Sequence, residues 1–303
     1  MENFASTQHP GLTRRATVRG IVHIQGIGLH SGDEVNLWIK PAPAGTGLVF
    51  QNKNHKSTIA VSPFNAIDTR QAVTLSNHRW RIQTVEHLLA ALAATGVSDA
   101  MMELDSQEVP ILDGSAKIFF EEINRVGVRD LGADIAPIRL TSPVWVVDGD
   151  RYLVALPSET FKVTCTIDFP HPELRGQTIT MDLDSQTFSQ EILSARTFGF
   201  LKDVEALRAK GLIKGASAEN AIVLTEDGYL NREDLRFADE CIRHKVLDLV
   251  GDLYLMGRPL LAHVIACRGG HGLDVAIAKL ILQRAAHDEL SVRRSSRPLA
   301  AAI

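Results

Sequence analysis

An α+β fold of two similarly built domains, each a β-sheet layer packed against helices, is predicted by three observations. Short β-branched runs broken by Gly and Pro fill residues 16–61 and recur over 137–169. Each run gives way to segments with a helical apolar period. Between the halves, near Leu131 to Pro137, the helical signal stops and alternating strands resume, which divides the chain into 1–133 and 134–303.

In the first half VRGIVHI, the turn-rich QGIGLHSGDE, VNLWIKPA and TGLVFQ read as β-hairpins. TVEHLLAALAATG predicts a helix with Thr84 as N-cap and Gly96 as its stop. ILDGSAKIFFEEINRVG predicts a second helix after an Asp-Gly turn. The second half repeats the order: strands separated by DGD and PSE turns, a connecting segment around 198–224, a long helix from about Leu235 to Met256, the strand LLAHVIACRG and the closing helix LDVAIAKLILQRAAHDEL. Only the order of elements repeats, not the residues. The tail from Arg293 to Ile303 is rich in Arg, Ser and Ala and is expected to fray.

Composition narrows the function classes. The 303 residues are 45% hydrophobic and 22% charged, with a formal net charge of −4 and no basic run, so a nucleic-acid partner is not expected. The N-terminal MENFASTQHPGLTRR lacks the unbroken apolar core of a secretory signal, and no later stretch suits a bilayer span, which predicts a soluble cytoplasmic protein. Three cysteines without a CxxC pair indicate neither a disulfide framework nor a thiolate zinc site. Any metal must be held by histidines and carboxylates.

The helix FADECIRHKVLDLVGDLYLMG carries the richest constellation. At about 100° per residue, Ile242, Val246, Leu249, Val250 and Leu253 share one face, and His244, Lys245, Asp248 and Asp252 the other. His244 and Asp248, at i and i+4, can reach one point and form half of a metal site; a solvated polar stripe has the same spacing. Glu86-His87 offers a ligand beside a general base, although Glu also suits a helix N-terminus. His271, between glycines after a strand, can be presented to a cleft or simply occupy a turn. Gly-rich QGIGLHSG misses the dinucleotide fingerprint at Ser31, and no P-loop exists.

These pieces resemble one family, the zinc-dependent UDP-3-O-acyl-N-acetylglucosamine deacetylases of lipid A synthesis in Gram-negative bacteria. The matching stretches are GIGLHSG at 26–32, TVEHLLAAL at 84–92, EVPILDGSA at 108–116, ARTFGF at 195–200, RHKVLDLVGDLYL at 243–255 and GGH at 269–271, in the family's order and over nearly the whole chain. The resemblance implies one catalytic Zn2+ held by His87, His244 and Asp248 at the cleft between the two domains, with an open position for water. It assigns Glu86 as general base and His271 as the acid that protonates the leaving nitrogen, oriented by Asp252. Thr197 and Lys245 match residues that polarise or contact the substrate around its carbonyl.

The same resemblance places Phe198 against the glucosamine ring, Asp168 and Phe169 at the uridine, and His30 among the substrate contacts. It makes 201–217, within an insert at about 198–224, a passage for the fatty acyl chain, lined by Leu201, Val204, Leu207, Leu212 and Ile213; each could equally be a core residue of a short helix. The implied enzyme is a monomer whose partner is a UDP-linked acylated N-acetylglucosamine. The sequence departs from the family at Asp274, where Asn is usual, and in a slightly shortened DTRQAVTL at 68–75. A silent UDP-sugar-binding protein on the same fold and a zinc deacetylase for another N-acetylated substrate are the alternatives.

Overall fold

The computed structural model describes residues 13–230 and 232–295, with side chains to 288. Its mixture of sheets and helices bears out the α+β class. In the first half, five strands lie in the order Val22–Ile27, Glu34–Pro41, Ala100–Leu104, Leu48–Asn52 and Thr58–Ala60. The last strand in sequence, Ala100–Leu104, sits in the centre, antiparallel to Glu34–Pro41 and parallel to Leu48–Asn52. The main path of the second sheet has the same plan: Val144–Asp148, Arg151–Pro157, Leu260–Cys267, Lys162–Ile167 and Gln177–Asp182, again with the last strand central. Leu260–Cys267 runs antiparallel to Arg151–Pro157 and parallel to Lys162–Ile167. Ile138–Arg139 adds a short parallel partner to that central strand.

Alternation sets the face of each sheet that is buried. In Glu34–Pro41 the side chains of Val35, Leu37 and Ile39 are buried, and in Lys162–Ile167 those of Val163, Cys165 and Ile167. Among the described residues six α-helices complete the fold: α1 (Glu86–Thr95) and α2 (Lys117–Val126) in the first half, then α3 (Ser185–Glu191), α4 (Val204–Ala209), α5 (Glu240–Tyr254) and α6 (His271–Ser295). One helix, α1 or α5, precedes the central strand of each sheet; another, α2 or α6, follows it. The shared strand order thus gives α1 and α5 equivalent places, and the two pack against each other.

That contact is unusually close. A Cβ on Gly251 would lie 2.1 Å from the carbonyl oxygen of Glu86. Glycine inside a helix costs about 1 kcal/mol relative to alanine, so its presence here marks a position where packing outweighs propensity. Gly251→Ala is expected to lower stability by about 1–3 kcal/mol or more, as in overpacked cores, and to reduce metal retention by separating α1 from α5. Thermal unfolding with a metal assay checks this; a variant as stable and as metal-rich as wild type would show that the helices tolerate a wider gap.

Two local expectations are corrected. Thr84 is not the N-cap of α1: it has a positive φ of 59°, and its hydroxyl donates to Glu108 Oε1 at 3.1 Å. Val85 holds the cap position with no side-chain cap bond, while Gly96 ends the helix in the left-handed region as expected. The long helix α5 starts at Glu240, not near Leu235, because the Glu240 carboxylate accepts from the Arg236 N–H at 2.7 Å and holds the preceding segment in a turn. At the C-terminal end α6 continues to Ser295, so Arg293 is helical; 296–303, like residues 1–12 of the N-terminal stretch read for a secretory signal, lie outside the described residues. No helix among the described residues is long and apolar enough to cross a membrane.

Candidate active site

The site is built where α1 meets α5. Each helix is preceded by an inserted element: the three strands Ala66–Asp68, Thr74–Ser76 and Arg81–Gln83 before α1, and the parallel pair Phe198–Phe200 and Ile222–Leu224 before α5. Backbone within the first insert and just ahead of the second contacts the candidate site residues. The backbone N–H of Val73 donates to Glu86 Oε2 at 3.1 Å, and His244 Nδ1 donates to the carbonyl of Ala195 at 3.1 Å. A carbonyl can only accept, so Nδ1 of His244 carries a proton and Nε2 is the ring nitrogen turned toward Asp248.

The polar stripe of α5 is not a solvated face. His244, Asp248 and Asp252 are 2%, 4% and 0% exposed, and on α1 Glu86 and His87 are 3% and 4%. His244 Nε2 lies 3.3 Å and His87 Nε2 3.7 Å from Asp248 Oδ1. A tetrahedral ion with bonds of about 2.1 Å has ligand separations of about 3.4 Å, so the three groups fit one metal ion. Their potential ligand atoms all fall within 4.8 Å of one another.

Protonation agrees with that use. Burial and the neighbouring His244 push the His87 imidazole down to about 3, leaving it neutral as a ligand must be. Burial would raise the Asp248 carboxyl, but His244 and Lys245 hold it well below the usual range, and Lys245 Nζ donates to its Oδ2 at 2.7 Å. Glu86 behaves oppositely: burial pushes its carboxyl up to about 7 against the pull of His271, with Asp252 and Asp248 adding to the rise. A carboxyl poised near neutrality is suited to general base work.

His271 occupies the first position of α6 rather than a loose turn. Its Nδ1 is 2.7 Å from Asp252 Oδ2 and its Nε2 is 4.0 Å from Glu86 Oε1. The pair of carboxylates therefore brackets the imidazole, one at each nitrogen. Phe198 stands edge-on to His244 with ring centroids 6.3 Å apart, and Phe169 packs on Phe198 at 5.7 Å. Thr197 is tied in by its backbone N–H to the Gly114 carbonyl at 2.8 Å.

The remaining expected contacts are less unified. His30, Leu207 and Leu212 line one cavity of about 400 Å³, together with Arg70, Gln83 and Lys210; Leu201, Val204 and Ile213 are not among its lining residues. None of the five apolar candidates of 201–217 is buried, which sets aside their reading as core residues of a short helix. Both ring nitrogens of His30 are buried without a partner. Asp168 accepts from the Gly176 N–H at 3.1 Å and lies 3.9 Å from Arg268.

Two supporting groups escaped sequence reasoning. Glu108 accepts the N–H of His30 and of Ser31, each at 2.8 Å, as well as the Thr84 hydroxyl, so it joins the GIGLHSG loop to the entrance of α1. Arg196 and Glu240 form a buried ion pair at 2.9 Å that fixes the residues beside Ala195 to the start of α5. Glu108 of EVPILDGSA and Arg196 of ARTFGF were visible as motif members, but their partners lie 24 to 78 positions away.

A family model described as UDP-3-O-acyl N-acetylglycosamine deacetylase matches residues 15–283. The chain belongs to this deacetylase family. Relatives named UDP-3-O-acyl-N-acetylglucosamine deacetylase include one from Leptospira biflexa serovar Patoc, 51% identical over 286 residues that cover 93% of this chain and 94% of the relative. One from Myxococcus xanthus is 42% identical over 275 residues, covering 90% and 88%, and one from Acidithiobacillus ferrooxidans 41% identical over 277 residues, covering 90% and 91%. The deacetylase family is one of metalloenzymes, and among the described residues two groups have ligand atoms close enough to share an ion: His87, His244 and Asp248, and Asp252, His271 and Asp274.

Proposed function

We propose that this chain is a zinc-dependent amidohydrolase that converts UDP-3-O-(3-hydroxyacyl)-N-acetylglucosamine and water to UDP-3-O-(3-hydroxyacyl)-glucosamine and acetate, the committed step of lipid A biosynthesis. The observation that carries this reading is the convergence of three metal-ligating side chains with Glu86 and His271 in a chain of the deacetylase family. His87, His244 and Asp248 would hold the zinc ion, which when bound would supply Lewis acidity for the acetyl carbonyl and for water.

The protein's own groups then divide the proton work. Glu86, anchored through Oε2 by the Val73 N–H, keeps Oε1 free to take a proton from the attacking water. As the C–N bond breaks, the departing nitrogen needs a proton because an amide anion is a poor leaving group. His271 supplies it from Nε2, since Asp252 occupies Nδ1. Lys245 and Thr197 contact the substrate around the carbonyl, where a fixed positive charge and a hydroxyl stabilise developing negative charge.

Phe198 is the face on which the sugar ring packs, with Phe169 and Asp168 toward the uridine. The cavity bordered by His30, Leu207 and Leu212 takes the start of the acyl chain, and Leu201, Val204 and Ile213 take part only if the 201–217 segment closes over it. The reading includes a cytoplasmic monomer. Acetate release from acylated and non-acylated UDP-N-acetylglucosamine, with metal content measured on the same preparation, tests it. Each buried methylene is worth about 0.8 kcal/mol, so the acylated substrate is expected to be hydrolysed with kcat/KM higher by orders of magnitude. Equal efficiency on both would remove the acyl site, and no acetate from either would remove the function.

A further inference from the structure

We propose that Asp274 is a positioning residue: the Asp252–Asp274 pair holds one proton between its carboxyl groups, and that proton satisfies Asp252 Oδ1 so that Oδ2 alone aligns His271. The inference rests on the reading of His271 as the proton donor and adds a residue behind it.

The argument starts from an unpaired atom. Asp252 Oδ2 is taken by His271 Nδ1 at 2.7 Å, while Oδ1 is buried and has no hydrogen-bond partner. A buried acceptor left unmade is costly, and a buried charge more so. Asp274, 2% exposed in the first turn of α6, brings a second carboxyl group to the same place; oxygens of both and a ring nitrogen of His271 lie within 4.8 Å of one another. Two bare carboxylates this close and this buried repel strongly, and the ammonium of Lys245 already donates to Asp248. A single proton resolves both problems, turning repulsion into a hydrogen bond.

Electrostatics at the pair point the same way. Burial pushes the Asp274 carboxyl up to about 7, with Asp252 adding to the rise and Lys245 and His271 opposing it. Burial and Asp248 likewise push Asp252 well above the usual carboxylate range. The first turn of a helix favours an anion, but that preference is outweighed here. One proton leaves the pair with a single negative charge, which is the charge that an Asp252 carboxylate beside a neutral amide would carry.

The metal-loaded enzyme tests this through two variants and an infrared measurement. Asp274→Asn keeps the charge and supplies an N–H donor, so kcat is expected within a few-fold of wild type. Asp274→Leu supplies no donor and is expected to lose tenfold or more in kcat, with KM little changed and metal content intact. The wild-type minus Asp274→Asn difference spectrum should contain the carbonyl stretch of a protonated carboxylic acid. Absence of that band, equal losses in the two variants, or wild-type kcat in Asp274→Leu would overturn the proposal. So would a second equivalent of metal that only Asp274→Leu fails to retain, which would make the cluster a cation site. The infrared band is independent of turnover, so it separates failure of this proposal from failure of the role given to His271.

Discussion

His87→Ala, His244→Ala and Asp248→Ala are each expected to lower metal affinity by more than the roughly 10–100-fold that loss of an outer-shell partner costs, and activity should fall with metal occupancy. Each change removes one of three protein ligands, so two cannot hold the geometry. The variants should nevertheless differ in stability. His87 is neutral in the fold, and its loss leaves a cavity but no unpaired charge. Asp248→Ala strands Lys245, whose ammonium is largely buried and donates to Asp248 at 2.7 Å. Removing one member of a buried pair costs about 3–5 kcal/mol. Metal analysis and thermal unfolding of the three proteins check both parts. Wild-type metal affinity in all three would show that the ion is held elsewhere, and equal stabilities would show that Lys245 finds another partner.

Much of this site could be read along the chain because its chemistry is local. His244 and Asp248 converge through one turn of helix, and Glu86 and His87 are adjacent, so spacing alone nominates them. Their union is not local. Nothing in FADECIRHKVLDLVGDLYLMG tells a solvated polar stripe from a buried one; the difference is made by α1, which arrives from the other half of the chain and packs against Gly251. Only the family motifs carry that link in the sequence, and the equivalent places of α1 and α5 in the two sheets give it a structural cause.

Boundaries were harder to read for a related reason. Thr84 has the composition of an N-cap, but Glu108 competes for its hydroxyl. Leu235 continues the apolar period of α5, yet the Glu240 carboxylate bonds the Arg236 N–H and the Arg196 side chain, and the helix starts only there. In both cases a carboxylate overrides a local preference through a bond that the helical period does not reveal. The acyl segment was ambiguous because Leu and Val in a six-residue helix fit a core and a ligand channel alike; the burial pattern excludes the first.

Glu86→Gln and His271→Gln are expected to lose on the order of a hundredfold or more in kcat while metal content stays near wild type. Gln preserves the acceptor for the Val73 N–H but cannot accept the water's proton, and at position 271 it cannot deliver one at neutral pH. Comparable rates in either metal-loaded variant would show that another residue moves the proton. The Glu86 variant carries a second signature, in stability. An unfolded glutamate titrates near 4.3, whereas in the metal-free fold burial raises Glu86 to about 7. Between those values the folded state binds more protons, so this residue makes stability fall as pH rises, with the full penalty present above about 7. The penalty is roughly 4 kcal/mol, at about 1.4 kcal/mol for each tenfold change in the proton-binding equilibrium. Metal-free Glu86→Gln should therefore unfold at the wild-type temperature near pH 4 and at a higher one near pH 8, and a bound divalent cation should narrow the gap by favouring the wild-type carboxylate. Catalytic loss without that pH-dependent gain in stability would mean that Glu86 is ionised at no cost, and that burial does not poise it as a base.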